Sequence, residues 1–398
     1  MKVLKNLLSI HLTPNVFFVM VFILLPVFDP MQREANPITF FLILILVPLF
    51  IYVKTKKGNN RSISKKYAYC LLLSAILSTI LGGGFSNDIL KLTVLVMLFV
   101  LYDGLNVTST DLISIFRAYV VVGVLLAVLI IMSFLAGIAD NEGERYIGRF
   151  SIGIIGLSKN PNYIASYITS CFFILTYILV NGSSNLFNKV IIILLLFIMT
   201  VGVFLTGTRA GLISIIMAIG LSFVNNIENR KTIVTLVIII ASVLFIASSY
   251  SDQIDNLMSS YLGQRKMLED DGRSLSWAFA FNSIQESPLF GYGLSAWQRL
   301  ATGTLFLEYL HNIFLEIFIS QGIIGVLCVM LIVFSGFKYA NDSDKKLIIS
   351  FLIITAFPLM FQNGYIASNF WRFIIVNRLF INYSIHTGCV KKDMLNLI

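Results

Sequence analysis

Charged residues are scarce in this sequence, and their scarcity excludes a water-soluble fold. Asp, Glu, Lys and Arg make up 12% of the 398 residues, whereas a soluble domain usually carries about 25%. Hydrophobic residues make up 57%, and the mean hydropathy is +0.87. A soluble domain of this length could not bury so much apolar surface in one core. The chain is therefore predicted to reside in a lipid bilayer.

The sequence also lacks the alternating pattern of membrane β-strands. Its apolar runs are continuous, as in Val190–Leu205 and Ile233–Ala247, whereas barrel strands are shorter and alternate. Backbone groups in hydrocarbon must be satisfied within the protein, so the spans are predicted to be helices. Apolar runs able to cross the hydrocarbon core fall near 14–29, 38–53, 67–83, 88–104, 117–137, 161–180, 189–206, 211–225, 232–249, 310–335, 347–362 and 367–385. The predicted fold is all-α, a single membrane domain over 1–398 with about twelve transmembrane helices.

Metal-ligating residues are few and scattered, and there is no glycine-rich nucleotide loop. The four cysteines are Cys70, Cys171, Cys328 and Cys389. They lack metal-ligand spacing and are expected to be small apolar packing residues. The run Glu269-Asp270-Asp271 offers a divalent-metal site as an alternative. Its adjacent carboxylates point to different faces and no histidine is near, so neither a metal nor a cofactor is predicted.

The basic residues give the chain an orientation. The formal net charge is +9, but no basic stripe or base-stacking motif indicates a nucleic-acid partner. The densest basic cluster, from Lys54 to Lys66, follows the second predicted span and is assigned to the cytoplasm. With twelve spans both termini are then cytoplasmic, and the N-terminal apolar run is expected to be a retained first span. Two loops, about 138–160 and 250–309, fall on the outer face.

The outer loop 250–309 is predicted to carry a short amphipathic helix, Ser274–Ser287, at the membrane surface. Ser274 is its candidate N-cap, and Pro288 with Gly291 marks its exit. The expected apolar face contains Leu275, Trp277, Phe281 and Ile284. Trp277 and Trp297 are expected at the membrane interface. Because long loops in compact proteins tend to be functional, this loop is a candidate for the site.

Arg209 stands in a short break, Gly207–Gly211, between two apolar runs. An arginine so close to hydrocarbon is costly unless it is paired or faces water. It either snorkels from a helix end as an anchor or clamps a phosphate, for which its planar, permanently charged fork is suited. The glycines around it would let a ligand approach the backbone closely.

Arg273 and His311 offer two further chemical groups on the same face. Arg273 precedes the predicted loop helix, where unpaired amides favour an anion; the alternative is an exposed salt bridge to Asp270 or Asp271. His311 opens the tenth predicted span, and a neutral imidazole can accept a proton near neutral pH. The alternative is an interfacial histidine satisfied by backbone groups.

Four segments stand in a definite order along the chain. They are Lys159-Asn160-Pro161-Asn162 with Arg149 upstream, Thr206-Gly207-Thr208-Arg209-Ala210-Gly211, Arg273 through Trp277 to Pro288–Gly293, and His311-Asn312-Ile313-Phe314-Leu315-Glu316 continuing to Gln321–Gly325. Together they resemble the shared region of bacterial O-antigen ligases and O-antigen or capsule polymerases. The resemblance covers about 149–325, including the outer loop.

The resemblance implies a metal-independent, inverting glycosyltransferase at the outer face of a bacterial cytoplasmic membrane, with a polyprenyl-pyrophosphate-linked glycan as donor. It assigns the pyrophosphate to Arg209 and Arg273, and the acceptor hydroxyl to His311. Supporting positions are Arg149, Asn160, Asn162, Asn312 and Glu316. Gln321 stands where many relatives carry an acid, so no catalytic role is expected for it. The implied partners are a glycan or lipid acceptor and a chain-length regulator or flippase.

The motifs leave the acceptor open. A polymerase extends a second lipid-linked chain and is favoured here, whereas a ligase transfers the glycan to a lipid A core. A flippase for the same lipid-linked sugars is the alternative from another class. Transporters place charges at mid-membrane and often contain internal repeats, but here the ionisable residues gather at one face. A non-catalytic scaffold would not explain the arginines and the histidine.

Overall fold

The computed structural model describes residues 2–24, 48–49, 51–52, 64–82, 88–136, 161–182, 186–224, 273–304, 310–362, 368–395 and 397. The helices are α1 (Lys2–Leu8), α2 (Pro14–Leu24), α3 (Ser64–Leu81), α4 (Asp88–Tyr102), α5 (Ser109–Leu135), α6 (Pro161–Asn181), α7 (Leu186–Leu205), α8 (Arg209–Val224), α9 (Arg273–Glu286), α10 (Ala296–Ala301), α11 (Ile313–Phe334), α12 (Asp342–Ala356), α13 (Ser368–His386) and α14 (Val390–Leu395), with 3₁₀ turns at Phe337–Tyr339 and Phe357–Phe361. No strand occurs among these residues, so the all-α prediction is confirmed.

Four of the described helices are long and apolar enough to cross a membrane. They are Ser109–Leu135, Pro161–Asn181, Leu186–Leu205 and Ile313–Tyr339, and the shorter Arg209–Val224 is also apolar. The expected count of about twelve spans is not confirmed by these helices. Of the expected spans, 232–249 lies outside the described residues, and 38–53 is described at 48–49 and 51–52 alone.

The central helix of the bundle is α6, which is buried on nearly all sides. Its sequence explains this position, because it carries hydroxyl residues among the apolar ones. These hydroxyls bond within the helix: Ser170 Oγ donates to the Ser166 carbonyl (2.7 Å) and Thr176 Oγ1 to the Phe172 carbonyl (2.9 Å). The more apolar helices α5 and α7 expose large side chains, including Leu125 and Phe197, as expected of lipid-facing helices.

Small residues let α5 pack tightly against two neighbours. A Cβ added at Gly123 would lie 2.6 Å from Cys171 Sγ on α6, and one added at Gly202 on α7 would lie 2.7 Å from the Ala127 Cβ. Close backbone approach through small residues is the usual way in which membrane helices associate. Cys171 therefore fills space between helices, as the sequence predicts for the cysteines.

The bundle has two ends of different composition. At the first, Gln362 Nε2 donates to the Asn162 carbonyl (3.1 Å) and the Leu294 amide to Thr79 Oγ1 (3.1 Å). This is where α6, α8, α11 and α13 begin and α3, α5 and α7 end. Its described arginines are Arg209, Arg273, Arg299 and Arg372. We call it the arginine end.

The opposite end is where α3, α5, α7 and α12 begin. The described lysines there include Lys5, Lys65, Lys66, Lys189, Lys338, Lys345, Lys346, Lys391 and Lys392, and Arg117 also lies at this end. We call it the lysine end. A buried ion pair joins helices near it: Arg378 Nε lies 3.4 Å from Asp103 Oδ1, which also accepts from Asn382 Nδ2 at 2.7 Å. Ser64 donates to the same carboxylate, and Arg378 to the Ser335 carbonyl, so α3, α4, α11 and α13 meet here.

At the arginine end, α11 is broken at Gly322, and a loop fills the break. Gly322 has φ 63° and ψ −162°, a conformation that is essentially restricted to glycine. The backbone of Pro288–Gly293 bonds to both sides of the break. The Tyr292 and Gly293 amides donate to the Ile319 (2.8 Å) and Ser320 (2.9 Å) carbonyls, and the Ile323 amide donates to the Pro288 carbonyl (2.9 Å). Backbone groups that the broken helix leaves open are thus satisfied by protein, as hydrocarbon requires.

Glycine is needed on both sides of this contact. A Cβ on Gly322 would lie 2.3 Å from the Leu289 carbonyl, and a Cβ on Gly291 would lie 2.4 Å from the Ile319 carbonyl oxygen. The loop also rests on the end of α3, since a Cβ on Gly82 would meet the Tyr292 carbonyl oxygen at 2.2 Å. We call the paired segments Pro288–Gly293 and Ile319–Ile323 the interlock.

We expect Gly322→Ala to destabilise the protein strongly. The backbone conformation alone costs about 1–3 kcal/mol for a non-glycine residue, and the clash with the Leu289 carbonyl adds to this. The matched control is Gly220→Ala in α8, where an added Cβ meets nothing within 4 Å and improved helix propensity contributes up to about 1 kcal/mol. Thermal unfolding in detergent compares the two variants. Equal melting temperatures would contradict the interlock.

Candidate functional site

Helix α9 packs on the arginine end through its small residues. Ser276, Ala280, Ser283 and Ile284 are buried. Leu275 is 67% exposed and Phe281 55% exposed, whereas Ile284 is buried, so the expectation that these residues share one apolar face is wrong. Small side chains make the contact because the helix lies close to its neighbours, and the large apolar residues point outward. The predicted helix itself is confirmed to within one residue at each end, but Ser274 lies inside it and does not cap it.

A tyrosine fixes the end of α9 to the interlock. The Tyr292 hydroxyl lies 2.9 Å from both the Ser283 carbonyl and Glu286 Oε2, to which it donates. Burial and the hydrogen bond to the Glu286 carboxylate raise the pKa of Tyr292. The phenol therefore remains a hydrogen-bond donor at neutral pH.

Trp277 links helix α9 to the residue that precedes His311. Its Nε1 donates to the Leu310 carbonyl at 2.9 Å, and Leu310 directly precedes His311. Arg273 is one turn before Trp277 on α9, and residues four apart share a helix face. The structure thereby brings the first turn of α9 to the start of α11. The other predicted interfacial tryptophan, Trp297, is 1% exposed; it packs in a small core with Ala280 and Leu315, so that prediction is wrong.

His311 has an unusual backbone conformation. Its φ of 53° lies in the left-handed region, which few residues other than glycine adopt, although histidine is among those enriched there. Asn312 follows with an extended backbone, and its Oδ1 accepts from the Leu315 amide at 3.1 Å. Asn312 is thus the N-cap of α11. The half-buried His311 lies in the turn that directly precedes this N-cap.

Two polar residues of α11 lie deeper than His311. Glu316 is 9% exposed in the first turns of the helix, and Gln321 is fully buried immediately before the break. Gln321 Oε1 accepts from Ser74 Oγ on α3 at 2.6 Å. This hydrogen bond joins α11 to α3, so Gln321 contributes to the packing of these two helices. Glu316 is the acidic side chain nearest to His311 along the helix.

Arg209 begins α8 after a tight turn at the arginine end. Gly207 has φ 62°, and the buried hydroxyls of Thr206 and Thr208 lie 2.7 Å apart. A Cβ on Gly211 would lie 3.1 Å from the Ala165 Cβ on α6, so this turn is packed against the start of α6. Arg209 is half-buried and makes no ion pair with any residue that the structure describes.

Asn162 belongs to the same group as Arg209. It is half-buried in the first turn of α6, and its carbonyl accepts from Gln362. Arg149 and Asn160 lie outside the described residues. The predicted site residues therefore form two groups at one end of the bundle, Arg273 with His311 and Arg209 with Asn162.

The described residues contain no group of three His, Cys, Asp or Glu side chains suited to a metal ion. Glu269, Asp270 and Asp271, the alternative metal site in the sequence, lie outside the described residues. A cavity lined in part by Asp103 and Asn382 lies near the lysine end, away from both groups.

Arg372 is a buried arginine outside the set of predicted site residues. This arginine lies in the second turn of α13, is 2% exposed and donates through Nη2 to Ser166 Oγ on α6 at 3.0 Å. It is therefore close to the Arg209 group. A signal was present in the sequence, because a charge inside an apolar segment is costly and is usually retained for function.

Part of the chain matches a known protein family. Residues 194–330 match the sequence model of a family described as O-antigen ligase. We call residues 194–330 the O-antigen ligase segment, after the family that they match. It runs from α7 to α11 and contains Arg209, Arg273 and His311, so the resemblance inferred from the motifs is confirmed. Asn162 and Arg372 lie outside the O-antigen ligase segment.

One curated relative adds a partial match. An uncharacterized protein of Haemophilus influenzae is 28% identical over 177 residues, which span 39% of this chain and 43% of that protein. The chain therefore spans less than half the length of this relative. No solved structure matches the chain. The membrane-length helices and the O-antigen ligase segment together indicate an integral membrane protein.

We expect Asn312→Ala to destabilise the protein by about 1 kcal/mol, because the amide of Leu315 loses its cap. Asn312→Ser and Asn312→Asp keep a side-chain acceptor and should retain most of the stability. Thermal unfolding of the three variants measures the difference. Equal losses in all three would show that Asn312 does more than cap α11.

Proposed function

We propose that this protein is a membrane glycosyltransferase of surface polysaccharide assembly. It transfers a glycan from a polyprenyl-pyrophosphate donor to a second lipid-linked glycan, as a polymerase of the O-antigen or capsule type. The observation that carries the proposal is the hydrogen bond from Trp277 to the Leu310 carbonyl, which joins the helix that begins at Arg273 to the residue before His311 within the O-antigen ligase segment. The half-buried Arg209, with no ion pair among the described residues, lies at the same end of the bundle.

The reaction needs charge stabilisation more than a strong nucleophile. The pyrophosphate leaving group gains negative charge as the glycosidic bond breaks, and fixed cations directed at that charge lower the barrier. Arg209 and Arg273 are suited to this role, since each guanidinium offers paired donors to phosphate oxygens. Asn162, in the first turn of the helix against which the Arg209 turn packs, supports the donor side in this proposal.

The acceptor hydroxyl needs a group that takes its proton. His311 is that base in this proposal: it takes the proton of the acceptor hydroxyl, whose oxygen attacks the anomeric carbon directly. The bond from this carbon to the lipid pyrophosphate breaks in the same step, so the carbon is inverted without a covalent enzyme intermediate. The left-handed backbone at His311 supports a functional role, because strained backbone is concentrated at active sites. Glu316, five residues after His311 and 9% exposed, is proposed as a supporting residue of this site.

The distribution of charge supports an outer-face site. Among the described residues, Lys and Arg together are more numerous at the end opposite the candidate residues, and membrane proteins keep basic loops in the cytoplasm. By this rule the lysine end faces the cytoplasm, with both termini, and the arginine end faces outward from the cytoplasmic membrane. A donor flipped across the membrane would then reach Arg209 and Arg273 directly.

Two other activities fit part of the pattern. A ligase would use the same donor site and differ in its acceptor, a lipid A core. A flippase would move the lipid-linked sugar without bond cleavage, and it is disfavoured because the candidate residues lie at one end of the bundle and not along a path through it.

Reconstitution of the purified protein with a lipid-linked repeat unit tests the proposal. Chain lengthening is expected. Transfer to a lipid A core acceptor alone would instead identify a ligase. Movement of the lipid across the bilayer without any new glycosidic bond would contradict a glycosyltransferase.

In that assay we expect Arg209→Ala and Arg273→Ala to abolish product while the protein still inserts. Arg209→Lys and Arg273→Lys should restore little activity, because an ammonium is a point charge without the paired donors of a guanidinium. Arg299→Ala at the same end is the matched control and should remain active, since Arg299 is directed to backbone carbonyls of its own loop. Near-normal turnover of Arg209→Ala would leave that arginine as an interfacial anchor.

We expect His311→Ala to lower turnover by about 10²–10⁴-fold, the usual contribution of a general base, without loss of donor binding. The wild-type pH–rate profile should have an acid limb, since a protonated imidazole cannot accept a proton. His311→Gln keeps a hydrogen-bonding group but cannot take the proton, so it should be slow and lack that limb. Wild-type turnover of His311→Gln with an unchanged acid limb would exclude His311 as the base.

A further inference from the structure

Arg372 is a buried arginine for which the described residues supply no counter-charge. Its Nη2 donates to Ser166 Oγ at 3.0 Å, and its guanidinium carbon lies 5.1 Å from the centroid of the Tyr167 ring. Its Nη1 is buried and has no hydrogen-bond partner within the described part of the chain. A buried cation without an anion is strongly unfavourable, so this position calls for an anionic partner.

Arg378 provides an internal comparison on the same helix. It is 3% exposed, against 2% for Arg372. Arg378 forms an ion pair with Asp103 at 3.4 Å and donates from Nη2 to Asn382 Oδ1 at 2.8 Å. Helix α13 thus contains one buried arginine neutralised by a carboxylate and one that no described carboxylate neutralises. The difference singles out Arg372 as a group available to a ligand.

The surroundings of Arg372 hold its fork in place. The Tyr167 ring supports the guanidinium, and arginine stacks favourably on aromatic faces. Tyr119 packs on Tyr167 with ring centroids 4.6 Å apart, which fixes that ring. The Tyr167 hydroxyl is itself buried and has no hydrogen-bond partner among the residues described. A guanidinium nitrogen and a phenol in one small region thus have unused donor capacity.

This group lies close to the Arg209 turn. Ser166, the partner of Arg372, directly follows Ala165, which packs against Gly211. Arg372 is in the second turn of α13, so its Cα lies roughly 6 Å along the axis from the start of that helix. A ligand that enters at the arginine end would reach Arg209 first and Arg372 about one turn deeper.

We propose that Arg372 is a third arginine of the donor site and binds a phosphate oxygen of the polyprenyl pyrophosphate. The inference rests on the proposed function. Arg372 Nη1 and the Tyr167 hydroxyl donate to the anion, while Ser166 and the Tyr167 ring orient the guanidinium. The two phosphates of the donor would then be divided between arginines at two depths, which sets the position of the bond that breaks.

Binding of undecaprenyl pyrophosphate to the full chain in phosphatidylcholine nanodiscs tests this inference. Arg372→Met is expected to weaken binding by about tenfold or more, the value of a charge-assisted hydrogen bond. Without ligand its melting temperature should equal or exceed that of the wild type, because an uncompensated buried cation has been removed. Arg372→Lys keeps the charge but not the fork, and it should also bind weakly while remaining folded.

Arg378→Met is the matched control. It leaves the buried carboxylate of Asp103 without its cation and should lower the melting temperature sharply. An equally large loss of melting temperature in unliganded Arg372→Met would show that Arg372 is a structural ion-pair member, which contradicts the inference. Wild-type affinity in both Arg372 variants would contradict it as well.

Two further outcomes are informative. One distinguishes a lipid pyrophosphate from a bulk lipid headgroup as the anion, and the other distinguishes failure of the Arg372 inference from failure of the proposed function. If Arg372→Met loses stabilisation by added phosphatidylglycerol and keeps its affinity for undecaprenyl pyrophosphate, the residue binds a bulk lipid headgroup and the inference fails. Failure of the wild-type protein to bind undecaprenyl pyrophosphate would contradict the proposed function itself. Wild-type binding that survives both Arg372 substitutions would contradict only the role of Arg372.

Discussion

The backbone contact between Pro288–Gly293 and the break at Gly322 is the constraint on which the candidate site depends. A helix interrupted inside a membrane leaves amides and carbonyls that lipid cannot satisfy, and here a second backbone supplies the missing partners. The contact holds the exit of α9 against α11. Because Trp277 then bonds to the carbonyl before His311, Arg273 and His311 are positioned by the same structural unit, although they are distant in the sequence.

Burial and charge are divided between the two ends of the bundle. Near the lysine end, the buried cation Arg378 has its carboxylate partner, Asp103. At the arginine end, Arg209 and Arg372 have none among the described residues. Arginines without a counter-charge at the edge of hydrocarbon are unfavourable. Binding of an anion would relieve this cost, so such arginines favour an anionic ligand. A lipid pyrophosphate supplies that anion and an apolar tail for the surrounding membrane, which is why the proposed donor suits this end.

Within the described residues, the apolar runs predicted the positions of the helices closely, because such runs in a membrane protein coincide with helices; the count of about twelve spans is not confirmed. The sequence also assigned His311 and Arg273 to one predicted site. That assignment came from family resemblance, because no pattern in the sequence encodes the packing of α9 against the start of α11. The large apolar residues of α9 were expected to share one face, but Leu275 is exposed and Ile284 is buried. The helix instead packs mainly through small residues. The pairing of Gly291 with Gly322 could not be foreseen, because it joins backbone segments through hydrogen bonds that no side-chain pattern records.

The central claim is that the donor binds at the arginine end, between the Arg209 turn and the start of α11. A photoreactive polyprenyl-pyrophosphate-linked glycan, cross-linked to the purified protein and mapped by mass spectrometry, tests it most directly. The account predicts cross-links in 206–211, 273–277 and 310–316, and their loss on competition with unlabelled donor. Competed cross-links confined to the lysine end, around the cavity lined by Asp103 and Asn382, would contradict it.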